Sequence, residues 1–316
     1  MIKNIIISFS LGLIVTGCSS KPEPVDLTQA SDAYNMAYGT YLTQPYRFGG
    51  RTYQSPLKDF SQDEVETIEK EFNKPNGGNA SVFFGAVSIL TGNFTGVIDV
   101  VGGTAANIAS SKHPSSSSGW IVSVDATQAS DGVQAKEVAT RIIQTKTIEL
   151  LESKGNKIEK VTLKDKTKKV SETTAYQIND KAIFGMVIDH YYDNKNGFEL
   201  NSDKTQYVIT GDTNWWGVQI ANFMVFDKNY VKGYKGLDGY EQFLKDLTAS
   251  LPENYKYYSS TFPRTQFMEN TDNSAWNCNC FDKSIYSLYS HIVPSVYFKG
   301  TRYDFIKPEE QDTVER

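Results

Sequence analysis

Trp120-Ile121-Val122-Ser123-Val124-Asp125-Ala126-Thr127 decides how the fold is read, because Trp120, Val122, Val124 and Ala126 alternate with Ile121, Ser123, Asp125 and Thr127. A period of two is the signature of a strand with one face inward. Directly after it, Ser130 or Asp131 can cap a helix that runs to Ser153, with Gly155 suited to its C-terminus. Ala135, Val138, Ala139, Ile142, Ile143 and Leu150 gather on one side of that helix. Strands are expected around 158–163 and 170–177, then over Ala182–Tyr192, with Asn196-Gly197 as a hairpin turn into Phe198-Glu199-Leu200. Gln206–Thr210 and Trp216–Phe226 also have strand character. Asp238 with Glu241 reads as a capping box, Tyr240, Phe243, Leu244, Leu247 and Leu251 as a helix face, and Pro252 as its end. Strand, helix, several hairpin strands and another helix predict an α+β domain over 120–307, helices on one face of a mainly antiparallel sheet. An acidic tail, 308–316, follows.

Upstream of Trp120 the pattern changes. Ser-rich 111–119 reads as a solvated connector, too polar and small to form a core. Before it, Val82–Ile108 carries Asp99 as its single charge and is punctuated by Gly85, Gly92, Gly96, Gly102 and Gly103. Gly92 and Gly96 stand four apart, a spacing that lets helix backbones approach closely, so both are candidate oligomerisation positions. One continuous helix would be about 40 Å long, and Gly92-Asn93 at its middle favours two short helices in a hairpin. Residues 29–110 form the N-terminal region around this segment. Pro45, Gly49-Gly50 and Pro56 argue against long regular elements near its start, whereas Asp63–Asn73 has one helical face in Val65, Ile68 and Phe72.

The extreme N-terminus carries the most specific signal. Lys3 is the only charge before Cys18, and an apolar run of about eleven residues from Ile5 to Val15 follows, too short to span a bilayer. The run ends in Val15-Thr16-Gly17-Cys18, which resembles the lipobox of bacterial lipoproteins: a branched apolar residue, two small ones and a cysteine. The resemblance implies a signal peptide over 1–17, cleavage before Cys18, lipid on its thiol and membrane attachment, with 18–28 as a polar tether. Ser19 in place of Asp implies the outer membrane if the host is Gram-negative. The placement of the Gly-rich segment also resembles, in organisation alone, glycine-rich outer-membrane lipoproteins of the TraT surface-exclusion type, and no motif carries their function over.

Removing Lys3 with the signal peptide makes the formal net charge of −5 one unit more negative, an acidity that gives no support for nucleic acid as a partner. Aromatics make up 13% of the chain, with 19 Tyr, a content common in exported β-rich domains whose Tyr rings line partly wet faces. Outside the cytoplasm the two cysteines beyond Cys18, Cys278 and Cys280, are disulfide candidates, locally or across subunits.

Catalytic chemistry finds few residues to work with. The three histidines are His113, His190 and His291. His113 sits in the Ser-rich connector beside Pro114, where nothing in the sequence would orient an imidazole. His190 follows Asp189 on a strand, so their side chains point to opposite faces. No Ser lies in a G-x-S-x-G elbow, and partly exposed sheet and loop histidines are the expectation. A zinc site from Cys278, Cys280, His190 and His291 lacks the usual spacing, and Asp193–Gly197 lacks the first oxygen of a calcium loop, so neither a metal nor a cofactor is expected. Lys154–Lys169 holds seven lysines against Glu159 and Asp165, a pattern suited to an edge hairpin protected from strand addition and, less so, to anionic lipid.

These residues predict a non-enzymatic, lipid-anchored structural or accessory subunit, forming homo-oligomers and contacting other envelope proteins. The alternative is a ligand-binding lipoprotein taking a sugar, peptide or peptidoglycan fragment in a cleft lined by Trp215, Trp216, Tyr255, Tyr257 and Tyr258. An envelope hydrolase comes third.

Overall fold

The computed structural model describes residues 27–48, 50–55, 57–66, 113–116, 118–164, 172–180, 182–184, 197–210, 231–260, 264–266, 286–288 and 293–308. The pivotal strand forms as β3 (Gly119–Asp125). It sits inside a six-stranded antiparallel sheet built with β7 (Phe198–Leu200), β8 (Gln206–Ile209), β9 (Tyr255–Ser259), β12 (Ser295–Phe298) and β13 (Thr301–Asp304), in the order β13-β12-β9-β3-β8-β7. A separate three-stranded sheet has the order β4-β5-β6, from β4 (Ile158–Lys164), β5 (Glu172–Ile178) and β6 (Ala182–Phe184). Two short antiparallel pairs complete the described strands, β1 (Tyr46–Phe48) with β2 (Arg51–Tyr53) and β10 (Arg264–Gln266) with β11 (Tyr286–Leu288). The architecture is α+β with a mainly antiparallel sheet, as expected.

Two long helices cover one face of the large sheet. Asp131 caps α2 (Gly132–Ser153), its carboxylate accepting the Gln134 N–H at 2.8 Å, while the Gln134 side chain reaches back to the Ser130 N–H at 2.6 Å. That exchange satisfies two donors that a helix start otherwise leaves open. At the other end Gly155, at φ +81°, gives its N–H to the Glu152 carbonyl, and the Asn156 N–H returns to Leu151, the left-handed termination that favours glycine. Asn156 is buried and fully engaged. It donates to the Leu151 and Lys232 carbonyls and accepts from the Lys232 N–H and the Asn179 amide, tying the helix end to two other segments.

The second helix, α3 (Gly236–Ser250), starts earlier than the expected box. Its N-cap is Lys235, which makes no side-chain cap bond, so Asp238 lies within the first turn. Glu241 bonds Lys245 at 2.8 Å and lies 3.5 Å from Arg302 instead of capping. Tyr234 folds over the first turn so closely that a Cβ on Gly239 would stand 2.6 Å from its backbone, which explains glycine there. The hairpin expected at Asn196-Gly197 runs through residues 185–196, which lie outside the described residues. Phe198–Leu200 pairs with β8 through a turn at 201–205, held by Asn201 and Asp203, and β6 belongs to the other sheet.

Alternation sorts the central strands onto two apolar clusters. Trp120, Val122, Val124, Tyr255, Tyr257 and Tyr297 face α2 and α3, where they meet Ala139, Ile143, Phe243, Leu244 and Leu247. Ile121, Tyr258 and Val296 face the other way, onto Ala33, Ala37, Leu42, Leu57, Phe60, Val65 and Phe305. The second face therefore carries a layer the sequence reading left out, including a short helix, α1 (Asp32–Ala37), in contact with β12 and β13. Helices consequently lie on both faces, the long pair on one and α1 on the other. Among the described residues no helix is long and apolar enough to cross a membrane.

Candidate functional site

The most elaborate polar arrangement among the described residues lies where the N-terminal segment meets the second face of the sheet. Three fixed points hold that segment. Ser31 caps α1 by accepting the Tyr34 N–H at 3.0 Å, and the Asp59 carboxylate takes both the Ser31 N–H, at 2.7 Å, and its hydroxyl, at 2.6 Å. Phe60 forms a parallel bridge with Ile306, donating to the Phe305 carbonyl and accepting from Lys307. Ser61 and Glu64 exchange bonds in a capping box that opens a helical turn at 62–66, two residues after that bridge. The helix expected over 63–73 is thus entered from Ser61, and its remainder lies outside the described residues.

The third fixed point is His113. Far from lying loose in a solvated connector, it is 1% exposed, as is Ser115, and a single 3-10 turn over Pro114–Ser116 separates it from β3. The Ser115 N–H donates to Nδ1 at 3.1 Å, so Nδ1 carries no proton and Nε2 does. The Nε2–H donates to the Gln44 carbonyl at 2.9 Å, across 69 residues of sequence. The Ser115 hydroxyl also lies 2.8 Å from Nδ1, and the Ser115 carbonyl accepts the buried Tyr258 hydroxyl at 2.7 Å. Tyr46 presents its ring edge-on at 6.3 Å. Burial pushes the imidazole below its ordinary pKa, opposed in part by the Gln44 carbonyl. The correction has a simple cause: small residues around a histidine let backbone approach it from two sides.

A Ser hydroxyl beside an imidazole is half of a nucleophilic pair, and the other half sets the chemistry. In a hydrolytic triad the far nitrogen faces a carboxylate that stabilises the imidazolium. Here it faces a neutral backbone carbonyl, and both side chains lie away from solvent. The arrangement is built to hold chain against chain. Tyr41 adds to it, donating to the Trp120 carbonyl at 3.1 Å beside β3, whose pairing with β8 begins only at Ser123.

The remaining candidates are placed as follows. Tyr255, Tyr257 and Tyr258 are buried on the two faces of β9, so they belong to the cores rather than to an open cleft. Within the lysine-rich hairpin, Lys157 pairs with Glu159 and Asp180, and Lys154 lies over the Tyr234 ring and 3.7 Å from Asp246. Among the described residues β4 is an outer strand of its sheet, in keeping with the edge reading. Cys18, Gly92, Gly96, Cys278, Cys280, His190, His291, Trp215 and Trp216 lie outside the described residues, as does the whole of Val82–Ile108. Among the described residues no group of three or more His, Cys, Asp or Glu is arranged to hold a metal ion. Neither a family model, nor a curated protein, nor a solved structure matches the chain.

Proposed function

We propose that this chain is a lipid-anchored envelope lipoprotein, cut before Cys18, whose α+β domain serves as a non-enzymatic structural or accessory subunit of an envelope assembly. The observation that carries the reading is continuity between anchor and core. The lipobox at Val15–Cys18 specifies the anchor, and the first described residues after it go straight into the second face, with Ser31 clamped by Asp59 and Ala33 and Ala37 buried. A tether over 18–28 spans at most about 35–40 Å fully extended. Position at the membrane is thereby passed to the sheet through a packed layer, a geometry suited to a subunit that holds partners at a fixed height. Ser19 supports the outer membrane in a Gram-negative host, and an oxidising compartment there would favour a disulfide at Cys278 and Cys280. The ligand-binding alternative now rests on Trp215 and Trp216.

The test is extraction of the full-length protein from membranes in mild detergent, in three forms. The parent protein should incorporate labelled palmitate and run as a defined oligomer. Cys18→Ala should take up no label, and label on that variant removes the anchor from the reading. Gly92→Leu/Gly96→Leu should dissolve the oligomer and leave the domain's melting temperature unchanged. An unchanged oligomer with a lowered melting temperature removes the assembly role.

A further inference from the structure

We propose that His113 is a proton-operated latch, holding residues 40–60 against the sheet at neutral pH and releasing them in acid. The inference rests on the hydrogen-bond geometry and is independent of the lipid anchor. An imidazole nitrogen has one in-plane position, filled by a lone pair or by a proton. At Nδ1 that position faces the Ser115 N–H, a backbone donor fixed in place by the turn at Pro114–Ser116. Adding a proton there opposes two N–H groups at 3.1 Å. Tautomer exchange gives no relief, because the Gln44 carbonyl already requires the proton on Nε2. The Ser115 hydroxyl can turn its oxygen toward a protonated Nδ1, but its backbone N–H cannot turn away.

Beyond the Gln44 carbonyl and the Ser115 hydroxyl, the described surroundings offer the cation no countercharge. From β1 comes Tyr46, from β9 Tyr258, and from the turn before β1 Gln44, all neutral at physiological pH. Along β9 the only charged side chain is Lys256, a half-buried cation whose Nζ lies 5.1 Å from the Phe298 ring. No carboxylate among the described residues pairs with the imidazole. A charge formed in a buried site without a countercharge is expelled by local opening where opening costs less than holding it there.

The sign follows from the lowered affinity of the latched form for protons. A released histidine titrates near its ordinary value of about 6.5. Above that value the latch has full strength, and it weakens as pH falls from there toward the lower value of the latched imidazole. Within that window each pH unit shifts the open-to-closed ratio about tenfold. Opening uncovers Ile121, Tyr258, Val296 and Phe305, so acid would turn a closed face into an apolar one.

Hydrogen exchange of the full chain tests this, read at the amides of residues 40–60 from about pH 7.5 to about pH 5 and corrected for intrinsic rates. Opening should rise below about 6.5, by up to about tenfold per pH unit, and more weakly in the helices of the other face. His113→Asn, which cannot be protonated, should abolish the rise; a rise of the same size in that variant overturns the latch. Should the Asn variant not fold, His190→Gln/His291→Gln leaves His113 as the sole imidazole for an NMR titration on the same sample. An imidazole titrating at its ordinary value with 40–60 still protected, or exchange that ignores pH, overturns the proposal equally.

Discussion

The two faces of the six-stranded sheet are covered by different kinds of matter. One carries α2 and α3, regular helices whose apolar stripes interdigitate with Trp120, Tyr255, Tyr257 and Tyr297. The other carries largely irregular chain, with the six-residue α1, a helical turn at 62–66 and two three-residue strands, and its apolar contacts are scattered. Helices satisfy their own backbone and need only hydrophobic burial to dock. Irregular chain must have its polar groups met from outside, and here Ser31–Asp59, Tyr41–Trp120 and His113–Gln44 meet them. The first face should therefore be strong and less sensitive to pH. The second should weaken when its buried imidazole gains a proton.

The comparison breaks most visibly at its apolar centre. Phe243, fully buried beneath α3 and edge-on to Tyr234, should cost about 3–5 kcal/mol when replaced by alanine. A denaturant titration should show that loss as a single lowered midpoint for the whole domain; two separated transitions would mean that the faces are not one cooperative unit. Leu42→Ala on the other face should cost about 2–5 kcal/mol at its site, toward the lower figure because irregular chain collapses more readily. Limited proteolysis within 40–60 should then quicken more than global unfolding does. Equal acceleration of both would erase the distinction between the faces.

The smallest effect sharpens the contrast from the other side. Gln144 is a flaw in the apolar stripe of α2, its buried amide nitrogen without a hydrogen-bond partner among the described residues. Replacing it with methionine removes an unmet donor at similar volume, and should raise stability by about 1 kcal/mol. A thermal melt reads the gain. A loss of similar size would show that the amide has a partner in solution, and the first face would then be less apolar than its stripe implies.

Legibility in sequence followed the same division. The alternation at Trp120–Thr127, the Asp131 cap, the Gly155 stop and the stripe through Leu244 and Leu247 are local patterns, and each produced its element. Errors were local too. Asp238 and Glu241 have capping spacing, but Tyr234 packing on Gly239 lets the helix start at Gly236, leaving Glu241 to Lys245 and Arg302. Ser61 and Glu64 carried a readable box that the Asp63 start passed over.

What the sequence determined by itself was the central strand, the two long helices and the two strands of the lysine-rich hairpin, since caps and periodicity are written in neighbouring residues. Which chain covers the second face was decided only in three dimensions. Ile121 looks like the polar phase of an alternating strand until residues 33–65 lie over it, and His113 looks unplaced until Gln44, 69 residues away, supplies its carbonyl. Neither contact leaves a mark near the residue that depends on it, because a hydrogen bond across distant segments constrains geometry and not local composition.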